Sequence, residues 1–431
     1  MSDTAATYAA QPAEAATAAT VTGGLIGNIV EWYDWTIYGL LSSVFASQFF
    51  PSGNATSALL ATLATFALGF VMRPVGSIVL SPLADKYGRR RMLSLTILLM
   101  GIGSLIVAAA PPYSAIGVAA PILLLIARLL QGFSAGGEFQ GAAAFLVEHA
   151  PANRRGFVGS LHIASIGFAV LIATGIAALT THFILPPALS TWGWRLPFAL
   201  GALLSLYGLY IRAALPETPH FVAAEQRRAL HASPILRALR DHPWESFVVF
   251  AMQMGTVQFY MWTVFLPTYA HLAGGLPLSQ GFIGGVISLA VFCVATPAAG
   301  ALSDRIGRRP LLLTCAIGFF LLTWPMLHLL ANGDFLTFLL VDIVGCLLLA
   351  LADGVLSATL CELFATQVRT SGIGLPYAIC SAIFGGTAPL IAAWLLSRHL
   401  SGLLAAYIMV IAIVGIVTFV NMRETRGAPL H

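Results

Sequence analysis

The sequence alternates long apolar runs with short polar breaks. Most of the runs approach or exceed about 20 residues, the length that an α-helix needs to cross the hydrocarbon core of a bilayer. The runs form twelve segments, with approximate limits 22–47, 57–80, 92–110, 119–147, 157–183, 193–214, 245–270, 279–301, 310–330, 335–362, 370–397 and 402–421. The pattern therefore predicts an all-α integral membrane protein with twelve transmembrane helices.

The composition excludes several other classes of protein. Of the 431 residues, 58% are hydrophobic and only 9% are charged, whereas a soluble domain has roughly 25% charged residues. These few charges can neither cover the surface of a soluble globule nor keep a chain disordered. The basic residues form no continuous stripe, which argues against nucleic acid as a partner.

The basic residues are concentrated in alternate connections. Seventeen of the 21 Lys and Arg residues follow even-numbered segments. Positively charged loops stay on the cytoplasmic side of a membrane. We therefore expect an even number of helices, both termini in the cytoplasm, and a multi-pass protein of a bacterial-type inner membrane.

The longest polar segment, residues 215–244, divides the twelve segments into two sets of six. We expect an N-terminal bundle over residues 22–214 and a C-terminal bundle over residues 245–421, with a cytoplasmic linker between them. Residues 1–21 and 422–431 are predicted to form cytoplasmic tails.

Two motifs occur once in each set of six segments. The loop after the second segment carries Asp85 and Arg89, and the loop after the eighth carries Asp304 and Arg308 with the same spacing, at an offset of 219 residues. An acid followed seven residues later by Arg also ends both the fourth and the tenth segments. The repeats indicate a duplicated six-helix unit, an architecture known among transporters.

The paired loop motifs resemble the signature of the major facilitator superfamily. Further stretches resemble, more narrowly, its metabolite:proton symporter family; they lie at residues 27–34, 72–76, 128–138, 192–198 and 362–374. The resemblance covers nearly the whole chain. Ser81, in place of the usual Gly, and Gln140, where a small or aromatic residue is expected, depart from the pattern.

The resemblance implies two pseudo-symmetric six-helix bundles that form the major facilitator fold. It also implies secondary active transport of a small metabolite, typically an organic carboxylate or a zwitterion, together with protons. Because Gln140 lies near the expected cavity, the resemblance says less about which metabolite is carried.

Few ionisable residues lie within the predicted helices. Such residues are costly in a bilayer and usually face a cavity or one another. Glu31 and Asp34 are three residues apart and share one face of the first helix, and residue counting places both of them and Glu138 near the middle of the bilayer. We expect Glu138, with Glu31 and Asp34 next, to bind the coupling proton. Permanent ion pairs between the first, second and fourth helices are the alternative.

Two Arg residues lie in the same half of the chain. A guanidinium can bind a carboxylate through two parallel hydrogen bonds, so Arg128 is predicted to bind a substrate carboxylate. Its alternative role is that of a structural partner for an acid. Arg73, next to Pro74 and near the end of its segment, is assigned a gating or structural role.

The second half contributes further candidates. Asp353 lies deep in the tenth segment, whereas Asp342 is shallower and is expected to lie nearer to water. The candidate substrate-binding residues besides Arg128, several of which packing alone would also explain, are Tyr38, Gln140, Gln253, Tyr260, Trp262 and Asp353.

The loop motifs carry the predicted gate. Asp85 and Asp304 can accept hydrogen bonds from helix N-termini and from neighbouring Arg side chains. Arg89 and Arg308 can pair across the cytoplasmic ends of the two halves. The positive-inside rule accounts for the basic residues of these loops. It does not account for an Asp at a fixed spacing from them.

We therefore expect a proton-coupled symporter that imports a small organic acid, either a di- or tricarboxylate or an oxo-acid, by alternating access. A symporter of a zwitterionic osmolyte such as betaine or proline is the alternative within transport. A transporter-like membrane receptor is the alternative from another class.

The sequence shows no nucleophile–base pair, metal-ligand cluster or nucleotide-binding loop, which argues against an enzyme and against any cofactor besides the proton. We expect a monomer in the lipid bilayer.

Overall fold

The computed structural model describes residues 18–51, 53–87, 89–136, 139, 143–144, 146–147, 150–214, 240–331, 334–364 and 369–428. Within these ranges, every regular element is a helix. Two predicted site residues, Glu138 and Gln140, lie outside the described residues, as do the side chains of Asp85 and Arg89.

Twelve long helices make up the described part of the chain. They are α1 (Ala18–Phe49), α2 (Ala55–Tyr87), α3 (Arg89–Ala109), α4 (Ala119–Ser134), α5 (Arg155–Phe183), α6 (Arg195–Ala214), α7 (Pro243–Gly274), α8 (Leu278–Ile306), α9 (Arg309–Leu330), α10 (Phe335–Glu362), α11 (Arg369–Cys380, continued by Ser381–Gly385 and Ala388–Ser397) and α12 (Ser401–Asn421). Each predicted segment overlaps one of these helices, so the predicted all-α class is confirmed.

Length and apolar composition make most of these helices candidate membrane spans. Among the described residues, eight helices, α2, α5 and α7 to α12, pass both criteria, and α6 joins the short helical stretch Pro186–Gly193 in a ninth span that is bent by 41°. In α3 and α4, the described apolar parts are shorter, over Ser94–Ala109 and Ala119–Ser134. The remaining helix of the twelve is α1, which contains two acidic residues.

Two of the helices are interrupted in their middle by a wider, π-type turn. The turns are Met261–Phe265 in α7 and Ser381–Gly385 in α11. In α7 the turn is followed by Pro267, whose nitrogen has no hydrogen to donate to the preceding turn. Turns of this kind are frequent at functional sites, and both helices border the cavity described below.

The first half, α1 to α6, meets the second half, α7 to α12, along three contacts. They join α5 to α8 and α10, α2 to α11, and α1 to α7. Glycine allows the close approach of α5 to α8, because a methyl group on Gly156 of α5 would lie 2.5 Å from the carbonyl oxygen of Gly300 in α8. Small residues permit such close packing of membrane helices, and a larger side chain there would push α5 away from α8.

Candidate functional site

A cavity with two lobes lies between the two halves. The larger lobe has an empty volume of about 880 Å³ and the smaller one about 310 Å³, and both figures include space that is open to solvent. Trp32, Phe139 and Tyr377 line both lobes. Trp32 and Phe139 belong to the first half and Tyr377 to the second, so a movement of one half against the other must change the shape of the cavity.

The smaller lobe carries an ion pair. Glu31 of α1 and Arg73 of α2 line it, and Oε1 of Glu31 lies 3.6 Å from Nη2 of Arg73. The guanidinium carbon of Arg73 also lies 4.6 Å from the ring centroid of Trp35 and 4.4 Å from that of Phe70, which are cation–π contacts. Both charged side chains are buried. At 3.6 Å this contact is longer than a charge-assisted hydrogen bond, so another anion can compete with Glu31 for Arg73.

Asp34 lies in a separate chain of buried polar side chains. Ser104 Oγ of α3 donates a hydrogen bond to the Asp34 carboxylate. Gln131 Nε2 of α4 donates to the same hydroxyl oxygen at 2.9 Å, and Arg128 Nη1 donates to Gln131 Oε1 at 2.6 Å. We call these four residues the buried relay. The relay joins α1, α3 and α4 and connects the Asp34 carboxylate to the Arg128 guanidinium through hydrogen bonds.

Aromatic rings enclose Arg128. Its guanidinium carbon lies 4.2 Å from the ring centroid of Trp35 and 4.4 Å from that of Tyr38. The Trp35 ring therefore contacts both Arg128 and Arg73. Neither Arg128 nor Tyr38 lines either lobe, so this conformation places both within the first half and away from the predicted substrate surface. Nε and Nη2 of Arg128 have no hydrogen-bond partner among the described residues.

Asp353 supplies the carboxylate of the larger lobe. Gln253 and Gln258 of α7 also line this lobe, and most of its other walls are apolar or aromatic. Within the described part of the chain, Oδ2 of Asp353 and Oε1 of Gln258 are buried without a hydrogen-bond partner, although buried polar atoms normally have one. Both oxygens are therefore available to accept hydrogen bonds from a solute in the cavity.

Tyr260 and Trp262, the other α7 candidates, pack beside the cavity and do not line its lobes. Trp262 Nε1 donates a 3.5 Å hydrogen bond to the carbonyl oxygen of Val341 in α10. The indole ring occupies the space that the missing side chain of Gly345 leaves. Tyr260 stacks on Trp32, with ring centroids 6.3 Å apart, and thereby supports the cavity wall.

At the loop-motif end of the bundle, Asp304 joins the two halves. Its Oδ1 accepts a hydrogen bond from the backbone N–H of Gly156 at 2.8 Å, and its Oδ2 accepts one from the backbone N–H of Phe157 at 2.9 Å. These N–H groups belong to the first turn of α5, which has no carbonyl partner of its own. A negative charge is favourable at such a position, so Asp304 holds the second half against α5.

Arg308, which the sequence suggested would pair across the halves, instead pairs within the second half. Its Nη1 lies 2.9 Å from Oδ1 of Asp304 and its Nη2 lies 3.0 Å from Oε1 of Glu362. Asp304 lies four residues earlier, near the end of α8, and Glu362 ends α10, so both of these partners belong to the same half as Arg308. Burial alone would lower the pKa of Arg308, but its hydrogen bonds to Glu362 and Asp304 outweigh burial and raise it.

Residues 422–428, which we call the C-terminal strap, cross the same end of the molecule. Glu424 accepts hydrogen bonds of 2.8 and 3.1 Å from the backbone N–H groups of Arg308 and Arg309, where α9 begins. From the first half, the side chain of Arg155 donates a 2.7 Å hydrogen bond to the carbonyl oxygen in the strap at position 428. The strap therefore contacts both halves, a role that the predicted tail did not suggest.

Replacing Glu424 by Gln is expected to lower the free energy of unfolding at neutral pH by about 1 kcal/mol, the usual effect of losing a helix cap. Burial raises the pKa of Glu424, but hydrogen bonds from the backbone N–H groups of Arg308, Arg426 and Arg309 outweigh it, so the pKa is lowered. The stabilisation is present above the pKa of the unfolded carboxyl group and is lost as the pH falls through the lower folded pKa.

Thermal unfolding of the purified protein in detergent, followed as a function of pH, measures this effect. The difference between the native protein and the Glu424→Gln variant should disappear in acid. Glu245→Gln, at the start of α7, removes the same charge elsewhere and serves as the control. Equal stability of the native protein and the Glu424→Gln variant at neutral pH would show that the strap does not depend on this carboxylate.

The sequence predictions did not include Ser104, Gln131 or Glu424. Gln131 lies three residues after Arg128 and therefore on the same face of α4, which was an available signal. Glu424 is an acid between the bases Arg423 and Arg426. Ser104 carries no such signal, because a serine in an apolar helix is common and only the packing of α3 against α1 and α4 shows its role.

Comparisons with known proteins agree with this architecture. The family described as "Sugar (and other) transporter" matches residues 20–253 and 240–431. The chain is 37% identical to the glycine betaine/proline/ectoine/pipecolic acid transporter of Dickeya dadantii, over 95% of this chain and 84% of that protein. It is 36% identical to the alpha-ketoglutarate permease of Escherichia coli, over 95% of both chains.

A solved structure shows the same fold. The crystal structure of a D-xylose-proton symporter superimposes with a TM-score of 0.71 and 18% sequence identity, over 96% of this chain and 99% of that chain. The chain belongs to the family of sugar and other transporters within the major facilitator superfamily, and it is a multi-pass membrane transporter and not an enzyme.

Proposed function

We propose that this transporter is a proton-coupled symporter that imports a small zwitterion with one carboxylate and one cationic nitrogen. The charge arrangement of the cavity carries the proposal. Arg73 lies in the smaller lobe and Asp353 in the larger one, with Trp32 and Tyr377 lining both. A zwitterion can place its carboxylate at Arg73 and its cationic nitrogen against Asp353 and the aromatic rings.

The names of the relatives support a substrate of this kind. The relative from Dickeya dadantii is named for glycine betaine and proline, both of which carry one carboxylate and one cationic nitrogen. The structural neighbour is named a proton symporter. These names describe the other proteins. We propose the same class of substrate for this chain because of the charges in its cavity.

A small organic acid, which the sequence predicted, is the second candidate substrate. The alpha-ketoglutarate permease is as similar to this chain as the named zwitterion transporter is, and Arg73 can bind a carboxylate of either substrate. A second carboxylate would meet Asp353 in the larger lobe, however, and two anions in one cavity repel each other unless one is protonated. The geometry therefore favours the zwitterion.

The ion pair between Glu31 and Arg73 suggests how the proton and the solute are coupled. Protonation of Glu31 removes its negative charge and frees Arg73 to bind the carboxylate of the solute. The proton then binds before the solute. Binding of either one stabilises the conformation to which the other binds. Asp34 in the buried relay is the second proposed proton site of the first half. Glu138 remains a prediction.

We also propose the cellular setting that the charge pattern predicts. The transporter lies in the inner membrane as a monomer, with both termini in the cytoplasm. The loop-motif end then faces the cytoplasm, and the opposite end faces outward.

Uptake into proteoliposomes with an imposed pH gradient tests the proposal. We expect gradient-driven uptake of labelled proline or glycine betaine, with weaker competition by alpha-ketoglutarate. The Asp353→Asn variant should bind the zwitterion about tenfold more weakly, because a hydrogen bond to a charged group contributes about 1.5–3 kcal/mol. Asp241→Asn, which changes an exposed acid just before α7, is the control.

Two results would contradict this proposal. Uptake that ignores the pH gradient would exclude proton coupling. Uptake of alpha-ketoglutarate that the Asp353→Asn variant leaves unchanged or strengthens, without uptake of proline or betaine, would establish the organic acid as the substrate.

A further inference from the structure

Asp342 of α10 is a buried acid that the proposed cycle does not use. From the sequence we expected Asp342 to lie near water. Asp342 is only 2% exposed, so that expectation is wrong. The reason is that α5 and α8 of the bundle cover this face of α10. Asp342 lies in the half of α10 that is remote from Glu362 and the loop motifs, and therefore near the opposite end of the bundle.

The contacts of the Asp342 carboxyl group are with neutral groups. Cys346 Sγ of the same helix lies 3.8 Å from its Oδ1, and the side chain of Ser288 in α8 lies against it. The next titratable side chains around the thiol of Cys346 are those of Cys293 and, further along α10, Asp353. Among the described residues, no Arg, Lys or His pairs with Asp342. An ionised carboxylate without a cation or water is strongly unfavourable in such a place.

The titratable groups at this end of the neighbouring helices do not supply a cation either. The side chains of His182 in α5 and His328 in α9 are exposed, and His271 at the end of α7 contacts the carbonyl oxygen of Leu276. From α5, the nearby side chain is that of Thr174, which carries no charge.

Asp342 lies directly behind the contact between the two halves. A methyl group built on Gly285 of α8 would lie 3.3 Å from Cγ2 of Thr174 in α5 and 4.0 Å from Oδ2 of Asp342. A gap about as large as one methyl group therefore separates the carboxyl group of Asp342 from α5. When α5 moves away from α8 at this end, water can reach Asp342 through the gap that Gly285 leaves.

We propose that Asp342 is a proton-binding site that controls the end of the bundle opposite the loop motifs. With a proton bound, the carboxyl group is neutral and α5 can close on α8. Without the proton, the carboxylate requires water and keeps the helices apart. Because this proton is trapped and released at the same end of the molecule, it controls closure and is not carried across the membrane.

Hydrogen–deuterium exchange of the purified transporter at several pH values tests this inference without any substrate. Exchange in the last turns of α5 and the first turns of α8 is compared with exchange in α12, which corrects for the intrinsic effect of pH. In the native protein, the corrected exchange at this end should rise with pH. In the Asp342→Asn variant, which mimics the protonated acid, it should stay low and be about tenfold slower than native at high pH.

The control variant is Asp334→Asn, which removes an exposed acid from the start of the same helix and should keep the native pH profile. A corrected exchange that does not depend on pH in the native protein would overturn the inference, even if the Asp342→Asn variant does not fold. The same pH profile in the native protein and the Asp342→Asn variant would also overturn it. Since no transport is measured, neither result depends on the proposed substrate or on proton symport.

Discussion

Replacing Asp34 by Asn is expected to lower solute accumulation driven by a pH gradient while exchange of solute across the membrane continues. Asp34 ends the buried relay through Ser104 and Gln131 to Arg128. Asn is similar in size but cannot change its charge, so the relay loses its response to protons. One coupled proton supports about tenfold accumulation for each pH unit of the gradient, so the variant, which keeps Glu31, should lose the factor that Asp34 contributes.

Parallel measurements of net uptake and of exchange in proteoliposomes separate these two activities. The Asp241→Asn variant, which removes an exposed acid just before α7, should accumulate solute like the native protein. Full gradient-driven accumulation by the Asp34→Asn variant would show that the coupling proton binds elsewhere, with Glu31 as the next acid to replace. Loss of both activities would instead assign Asp34 a structural role.

The sequence predicted the helices well because each apolar run is long and the basic loops alternate. It could not predict the wide turns in α7 and α11, since an apolar run looks the same whether or not its hydrogen bonding is regular. Pro267 marks the position in α7, but prolines also lie inside helices that have no such turn, such as α8 with Pro297.

The sequence predicted that Glu31 and Asp34 share a helix face, and the structure shows how limited that statement is. Three residues along a helix differ by about 60° in direction. That difference directs Glu31 toward Arg73 of α2 and Asp34 toward Ser104 of α3. Which helices lie next to α1 on each side decides the partner, and the order of segments along the chain does not contain that information.

The same limit applies to the bases. The positive-inside pattern predicted where Arg308 would lie, but its partner Glu362 is 54 residues away in sequence. The cross-half contact falls instead to Asp304, whose two oxygens fit the free N–H groups at the start of α5. The sequence indicated that this Asp can accept hydrogen bonds from a helix N-terminus, and Asp304 accepts two, although the motif alone does not say which helix donates them.

Replacing Asp304 by Ala is expected to open the loop-motif end of the transporter. The change removes both hydrogen bonds to the N-terminus of α5 and one partner of Arg308. Loss of a helix cap costs about 0.5–2 kcal/mol, and hydrogen bonds to charged groups contribute about 1.5–3 kcal/mol. Because the two hydrogen bonds to α5 join the halves only while this end is closed, their loss should shift the population toward the open state by about tenfold or more.

The thiol of Cys315 lines the larger lobe and reports this shift. In inside-out vesicles, its reaction with a water-soluble maleimide, mapped by mass spectrometry, should be about tenfold faster in the Asp304→Ala variant than in the native protein. Asn54→Ala is the matched control, because Asn54 caps α2 within a single half through the backbone N–H groups of Thr56 and Ser57. Equal reaction rates in the two variants would mean that Asp304 stabilises only its own half, and the closing contact would then have to come from the C-terminal strap.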